Sequence, residues 1–159
     1  MNPEDFLKTA DHLVTGIHGG RPPQVHLRRA ISTAYYAVFH CLARDAANLL
    51  VGSPGARRSR PAWIQVYRAL EHSFAKKACK NRNIITRFPD NIQDIAEIFI
   101  ELQSKRHKAD YDPQAKFYKS DVKNDVHMAR DVISRFKTVS VADRRAFSAY
   151  ILFSRRSDA

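Results

Sequence analysis

Two short stretches of this sequence gather side chains that could handle a phosphate. In the first, Arg29, Thr33, Tyr36 and His40 follow one another at steps of four, three and four residues. On an α-helix those steps place a cation, two hydroxyls and an imidazole on a single face, with Ser32 at its edge. A guanidinium grips a phosphate through paired N–H donors, and the hydroxyls and imidazole suit the neighbouring ribose or base. The second stretch is Lys105 to Pro113, KRHKADYDP, which brings Lys105, Arg106, His107, Lys108 and Tyr111 close together in the chain. Arg106 and Asp110 stand four apart, the spacing of a surface ion pair worth roughly a few tenths of a kcal/mol. Plainer roles fit the same residues: a solvated polar helix face, and a basic helix C-terminus that complements the macrodipole.

Other chemistries lack their residues. The five glycines form neither GxxxxGK[ST] nor GxGxxG, so the loops that cradle nucleotide phosphates are missing. HExxH and GxSxG are absent too. Cys41 and Cys79 have no CxxC spacing, and acids such as Asp90 and Asp94 are not arranged for Mg²⁺, so neither a metal nor a cofactor is expected. Lys and Arg total 27 against 16 Asp and Glu, a formal charge of +11 that favours a polyanion. That surplus does not separate RNA, DNA, anionic lipid and an acidic protein, which all meet a basic face through the same Coulomb attraction. The strongest apolar stretch, near Phe147 to Phe153, is far short of the roughly 20 residues of a membrane span, so no membrane association is expected. The opening MNPEDFLK has no basic and apolar regions of a secretory signal, and with two unpaired cysteines a reducing cytoplasm is the expected compartment.

The elements that must position the two stretches can be read from apolar spacing. Asn2, Pro3, Glu4 and Asp5 open a first helix, expected over about residues 3 to 17 with Phe6, Leu7, Ala10, Leu13, Val14 and Ile17 on one side. After Pro22 and Pro23 comes a longer helix to about Leu50, with Leu27, Ile31, Ala34, Tyr35, Val38 and Leu42 as its packing stripe. Residues 52–61, GSPGARRSRP, read as a mobile basic loop. A third helix is expected from Pro61 to near Asn81, and a fourth from about Pro89 to Tyr111. A fifth, capped by Ser120 or Asp121, should run to about Thr138, and a sixth from Ala142 to Phe153. No strand pattern competes, so the chain is expected to be one all-α domain over residues 1–159, a helical bundle with short connections.

The stretches LRRAISTAYYAVFH from Leu27, RHKADYDP from Arg106 and DRRAFSAYILFSRR from Asp143 together resemble a small prokaryotic branch of the HEPN superfamily. The resemblance implies an up-and-down bundle of four or five helices, here with an additional terminal helix, that pairs as a homodimer. It implies RNA or nucleotide binding and, in many members, metal-independent ribonuclease activity, often as the toxin of a toxin–antitoxin pair with a minimal nucleotidyltransferase. The family's catalytic signature is an arginine, a polar residue, three further residues and a histidine. Arg106 matches the arginine, His107 the polar position, and Tyr111 stands where the histidine would be. A phenol with a pKa of about 10 is ionised roughly one part in a thousand at pH 7, so tyrosine is a poor general base there. His107 adjoins Arg106, and neighbouring helix positions point about 100° apart.

Two functions from different classes follow. One is an RNA-binding protein or ribonuclease in which Arg106 stabilises the phosphate, His107 or His40 moves protons and Tyr111 orients the substrate. The other is a non-catalytic module that partners a nucleotidyltransferase. In the first, Arg29, Tyr36 and His40, with Lys105 and Lys108 adding charge, are expected to converge with Arg106, His107 and Tyr111 in an electropositive pocket between facing helices. Two copies of Arg106 are expected to line one cleft of the homodimer.

Overall fold

The computed structural model describes residues 1–16, 19–55 and 57–155. These contain eight helices and no strand: α1 (Pro3–Thr15), α2 (Gln24–Leu50), α3 (Arg60–Arg68), α4 (His72–Lys80), α5 (Arg82–Ile85), α6 (Asp90–Tyr111), α7 (Lys119–Phe136) and α8 (Val141–Leu152). The all-α expectation therefore holds across them. Ile17, in the apolar set expected for the first helix, and Arg156, at the end of the third resembling stretch, lie outside the described residues. No described helix is long and apolar enough to cross a membrane.

Local chemistry accounts for most helix starts. The Asn2 side chain accepts from the Glu4 amide, Pro3 occupies the first turn, and Glu4 and Asp5 sit at the positive end of α1. Ser140 caps α8 by accepting from the Asp143 amide, one residue ahead of the expected start. α7 also begins earlier than Ser120 or Asp121, at Lys119 after an extended Tyr118.

The 27 residues of α2, about 40 Å of helix, form the axis of the molecule. α1, α3, α6, α7 and α8 all pack against α2. Its buried set is far wider than the stripe read from spacing, adding Ala30, Ala37, Ala43, Ala46 and Ala47 together with Ser32, Phe39, His40 and Cys41. Small alanines let neighbouring helices approach on several sides at once, so a single amphipathic stripe is not what its position requires.

The third expected helix is two. α3 ends at Arg68, Leu70 is buried, Glu71 is extended at φ −108° and ψ 131°, and α4 starts at His72. No glycine or proline marks this break, since apolar positions continue in helical step through Val66, Tyr67, Leu70 and Phe74. Tertiary contacts make it: Gln103 of α6 donates to the His72 carbonyl at 3.1 Å, and the His72 ring is held by Tyr35 of α2. A straight continuation of α3 would forfeit both.

The end of α6 is tied to α2 by Arg28. Its guanidinium donates to the carbonyls of Ala109 and Asp112 at 2.8 Å each and of Ala115 at 2.5 Å, and lies 5.3 Å from the Phe117 ring centroid. It thereby satisfies acceptors that the last turn of a helix leaves open.

Candidate functional site

Where α2 and α6 cross, a guanidinium lies over two phenol rings. The central carbon of Arg106 is 5.4 Å from the ring centroids of both Tyr35 and Tyr36. Arg106 Nε donates to Asp110 Oδ2 at 3.1 Å, and Ser32 donates to the other Asp110 oxygen at 2.6 Å. Cation–π attraction, a carboxylate one turn on and a serine that fixes the carboxylate hold the guanidinium plane in one orientation. Its side chain is 19% exposed. Apart from the Tyr35 hydroxyl, which shares a hydrogen bond with the guanidinium, the Nη nitrogens have no protein partner among the described residues, and neither is among the atoms sealed from solvent without one.

Two histidines stand against these rings, His72 beside both and His40 beside Tyr36, each bonded to a tyrosine. Tyr35 Oη is 2.5 Å from His72 Nδ1, and Tyr67 Oη is 2.6 Å from His40 Nδ1. His72 stacks on Phe39 at 4.2 Å between centroids and sits 5.6 and 6.2 Å from the Tyr35 and Tyr36 rings. His40 is stacked between Phe6 at 5.0 Å and Tyr67 at 5.8 Å, with Tyr36 at 5.9 Å, and is only 8% exposed.

The charges follow from this packing. Burial lowers the His72 pKa, the Arg106 charge lowers it further, and Glu71 opposes weakly. Burial likewise lowers His40, helped by the N-terminal ammonium and by His72. Burial drives the Tyr35 hydroxyl well above its ordinary value despite the adjacent Arg106. At neutral pH the cluster therefore holds one cation, Arg106, among neutral rings.

Of the residues that spacing singles out, Tyr36, His40 and Arg106 come together here. Arg29 is exposed two turns toward the start of α2, and its carbonyl accepts from Thr33. His107 and Tyr111 lie beside one another on an exposed face, centroids 5.0 Å apart and rings tilted by 52°, Tyr111 being 66% exposed. Five helix steps put Tyr111 about 140° around α6 from Arg106, whereas Asp110 is only about 40° away. The side chains gathered around Arg106 are therefore a different set from the six residues expected.

Lys105 and Lys108 face another way. Lys105 Nζ bridges Glu101 at 2.6 Å and Asp125 at 2.5 Å, which together hold its pKa up against burial. With Lys108, Lys116, Phe117 and Tyr118 it lines a separate cavity of about 310 Å³ between the end of α6 and the start of α7.

His72 and Arg28 are the residues that spacing does not find. His72 occupies the first turn of a helix whose start has no local signal, and Arg28 differs from Arg29 only by one step around α2. The clue available for His72 is its place in the chain: an imidazole after Leu70 and Glu71, off the apolar stripe that Trp63, Val66 and Tyr67 continue.

Among the described residues no group of three or more His, Cys, Asp or Glu side chains is placed to hold a metal ion. Comparison with protein-family models, curated proteins and solved structures finds no match to this chain.

Proposed function

We propose that this protein is a HEPN-like RNA- or nucleotide-binding protein whose phosphate anchor is Arg106, and that its reaction is metal-independent cleavage of RNA. The observation that carries this reading is the prepared guanidinium: set over Tyr35 and Tyr36, fixed through Nε by Asp110, and with no acid or carbonyl on its Nη end among the described residues. Donors held in place before the ligand arrives cost little reorganisation when a phosphoryl group meets them. In the cleaving reaction the ribose 2′-hydroxyl attacks phosphorus, the bond to the 5′-oxygen breaks, and Arg106 stabilises the pentacovalent phosphate. The ends left are a 2′,3′-cyclic phosphate, or a 3′-phosphate after hydrolysis, and a 5′-hydroxyl. Pairing with a second copy, which would set two Arg106 side chains in one basic cleft, and a nucleotidyltransferase partner belong to the same reading.

Anisotropy titration of a single-stranded RNA oligonucleotide tests the anchor. Arg106→Ala should weaken binding by about 1.5 to 3 kcal/mol, roughly 10- to 150-fold, with the fold intact. Lys8→Ala, on the exposed side of α1, should change it far less in the same salt. Equal effects of the two substitutions would remove the reading. Incubation with total RNA in EDTA tests the chemistry, and cleavage that EDTA stops or that Arg106→Ala leaves unchanged would count against it.

A further inference from the structure

His72 belongs to neither stretch that the sequence singles out, yet its surroundings hold it more firmly than core packing needs. Its ring lies on Phe39, its Nδ1 meets the Tyr35 hydroxyl and its carbonyl accepts from Gln103, so α2 and α6 fix both ring and backbone. Its other ring nitrogen is unused. Among the described residues Nε2 has no protein partner, and it is not one of the buried atoms left without one. His72 and Arg106 lean on the same two rings, Tyr35 and Tyr36, which sets the imidazole beside the guanidinium, whose charge reaches it.

The proton on this imidazole has a preferred side. Tyr35 is fully buried, and its hydroxyl has no acceptor other than His72 Nδ1 among the described residues. Turned away, the hydroxyl would be a buried donor without a partner. Tyr35 therefore donates, Nδ1 accepts, and the neutral ring carries its proton on Nε2.

We propose that His72 is the second phosphate donor of this site, its neutral Nε2–H and the Nη groups of Arg106 together holding one phosphoryl group, with Tyr35 as the positioning residue that selects the tautomer. The proposal rests on the reading of Arg106 given above and extends it to a different helix. Burial and the neighbouring Arg106 both lower the His72 pKa, Glu71 opposing, so neutral is the form present at pH 7. A neutral donor suits the place, since a second full cation against Arg106 would add like-charge repulsion while an N–H dipole does not. The ligand chemistry is a phosphate, carried either by an RNA phosphodiester or by a free nucleotide.

Nitrogen NMR of the free protein comes first, and it should find neutral His72 protonated on Nε2; the Nδ1 tautomer would overturn the proposal without any ligand being needed. Titrations with a single-stranded RNA oligonucleotide and with a 5′-mononucleotide follow, each on wild type and variants. His72→Ala should weaken whichever ligand binds by about tenfold, as loss of one phosphate contact does. His72→Gln, which returns an amide N–H near the Nε2 position, should restore binding to within about threefold of wild type. Tyr35→Phe should lose affinity and shift the tautomer balance together, a pairing that mere packing damage would not produce. If Arg106→Ala weakens binding while His72→Ala does not, or if Gln is no better than Ala, the His72 role fails and the Arg106 anchor stands. If neither ligand binds, or Arg106→Ala has no effect, both fall. Tighter binding of the oligonucleotide or of the mononucleotide identifies which source of phosphate the site takes.

Discussion

A histidine whose one nitrogen is engaged by a tyrosine keeps the other for a different partner, and this protein contains two such pairs. Their environments differ in what the second nitrogen can reach: His40 is enclosed by Phe6, Tyr36 and Tyr67, whereas His72 borders Arg106. Both pairs make stability depend on pH. The folded-state pKa of each ring lies below the ordinary 6.5, by burial first and then by neighbouring positive charge, from the N-terminal ammonium and His72 at His40 and from Arg106 at His72. The unfolded chain therefore takes up protons that the folded one refuses, so the contribution is whole above 6.5 and is lost as pH falls through the lowered values. Glu71 is the one acid that opposes this at His72, and Tyr35 and Tyr67 stay protonated throughout the range. Between about pH 7 and pH 5 the urea midpoint of wild type should drop more than that of a His40→Gln, His72→Gln double variant. Parallel pH curves for the two proteins would contradict this assignment.

Among the elements, α6 owes its position to a residue on α2 rather than to its own end. Arg28 serves three carbonyls around the α6 C-terminus, so Arg28→Ala should cost about 2 to 3 kcal/mol in urea unfolding, with Arg28→Lys intermediate because an ammonium cannot reach three acceptors in a fork. The same variant should weaken RNA binding at Arg106, since the turn that carries Asp110 loses its tether. An unchanged midpoint would show that those carbonyls are satisfied equally well by water. Here the limit of reading the chain is plain. Helical spacing favours Arg29 because it stands four residues from Thr33, but spacing cannot tell which of two adjacent arginines meets carbonyls that lie more than 80 residues away. The break between α3 and α4 is invisible for a related reason. Leu70 and Glu71 carry no local stop, and the contacts that place His72 come from Tyr35 and Gln103, long before and long after it in the chain.

At the scale of the whole molecule, the helical class is legible because Pro23, Pro61, Pro89 and the apolar spacing that follows each of them act locally. The role of α2 is less so. A helix surrounded by five others buries its polar-looking face as well, which is why His40 packs inside the protein although its spacing suits a surface. α3 is the opposite case: it packs mainly on α2 and contains no buried residue among those described. It also carries Trp63, the single tryptophan, whose indole donates to Asn48 at 2.9 Å, stacks on Tyr67 at 5.1 Å and lies under Arg58 at 4.8 Å. Intrinsic fluorescence is therefore a gauge of how α3 sits on α2 and not of the bundle as a whole. As urea rises, Trp63 emission should shift to the red before far-ultraviolet circular dichroism records loss of helix, because elements with little buried surface detach at lower free energy. Coincident optical transitions would mean that the stack from Arg58 through Trp63 and Tyr67 to His40 couples α3 to the core strongly enough for one cooperative unfolding.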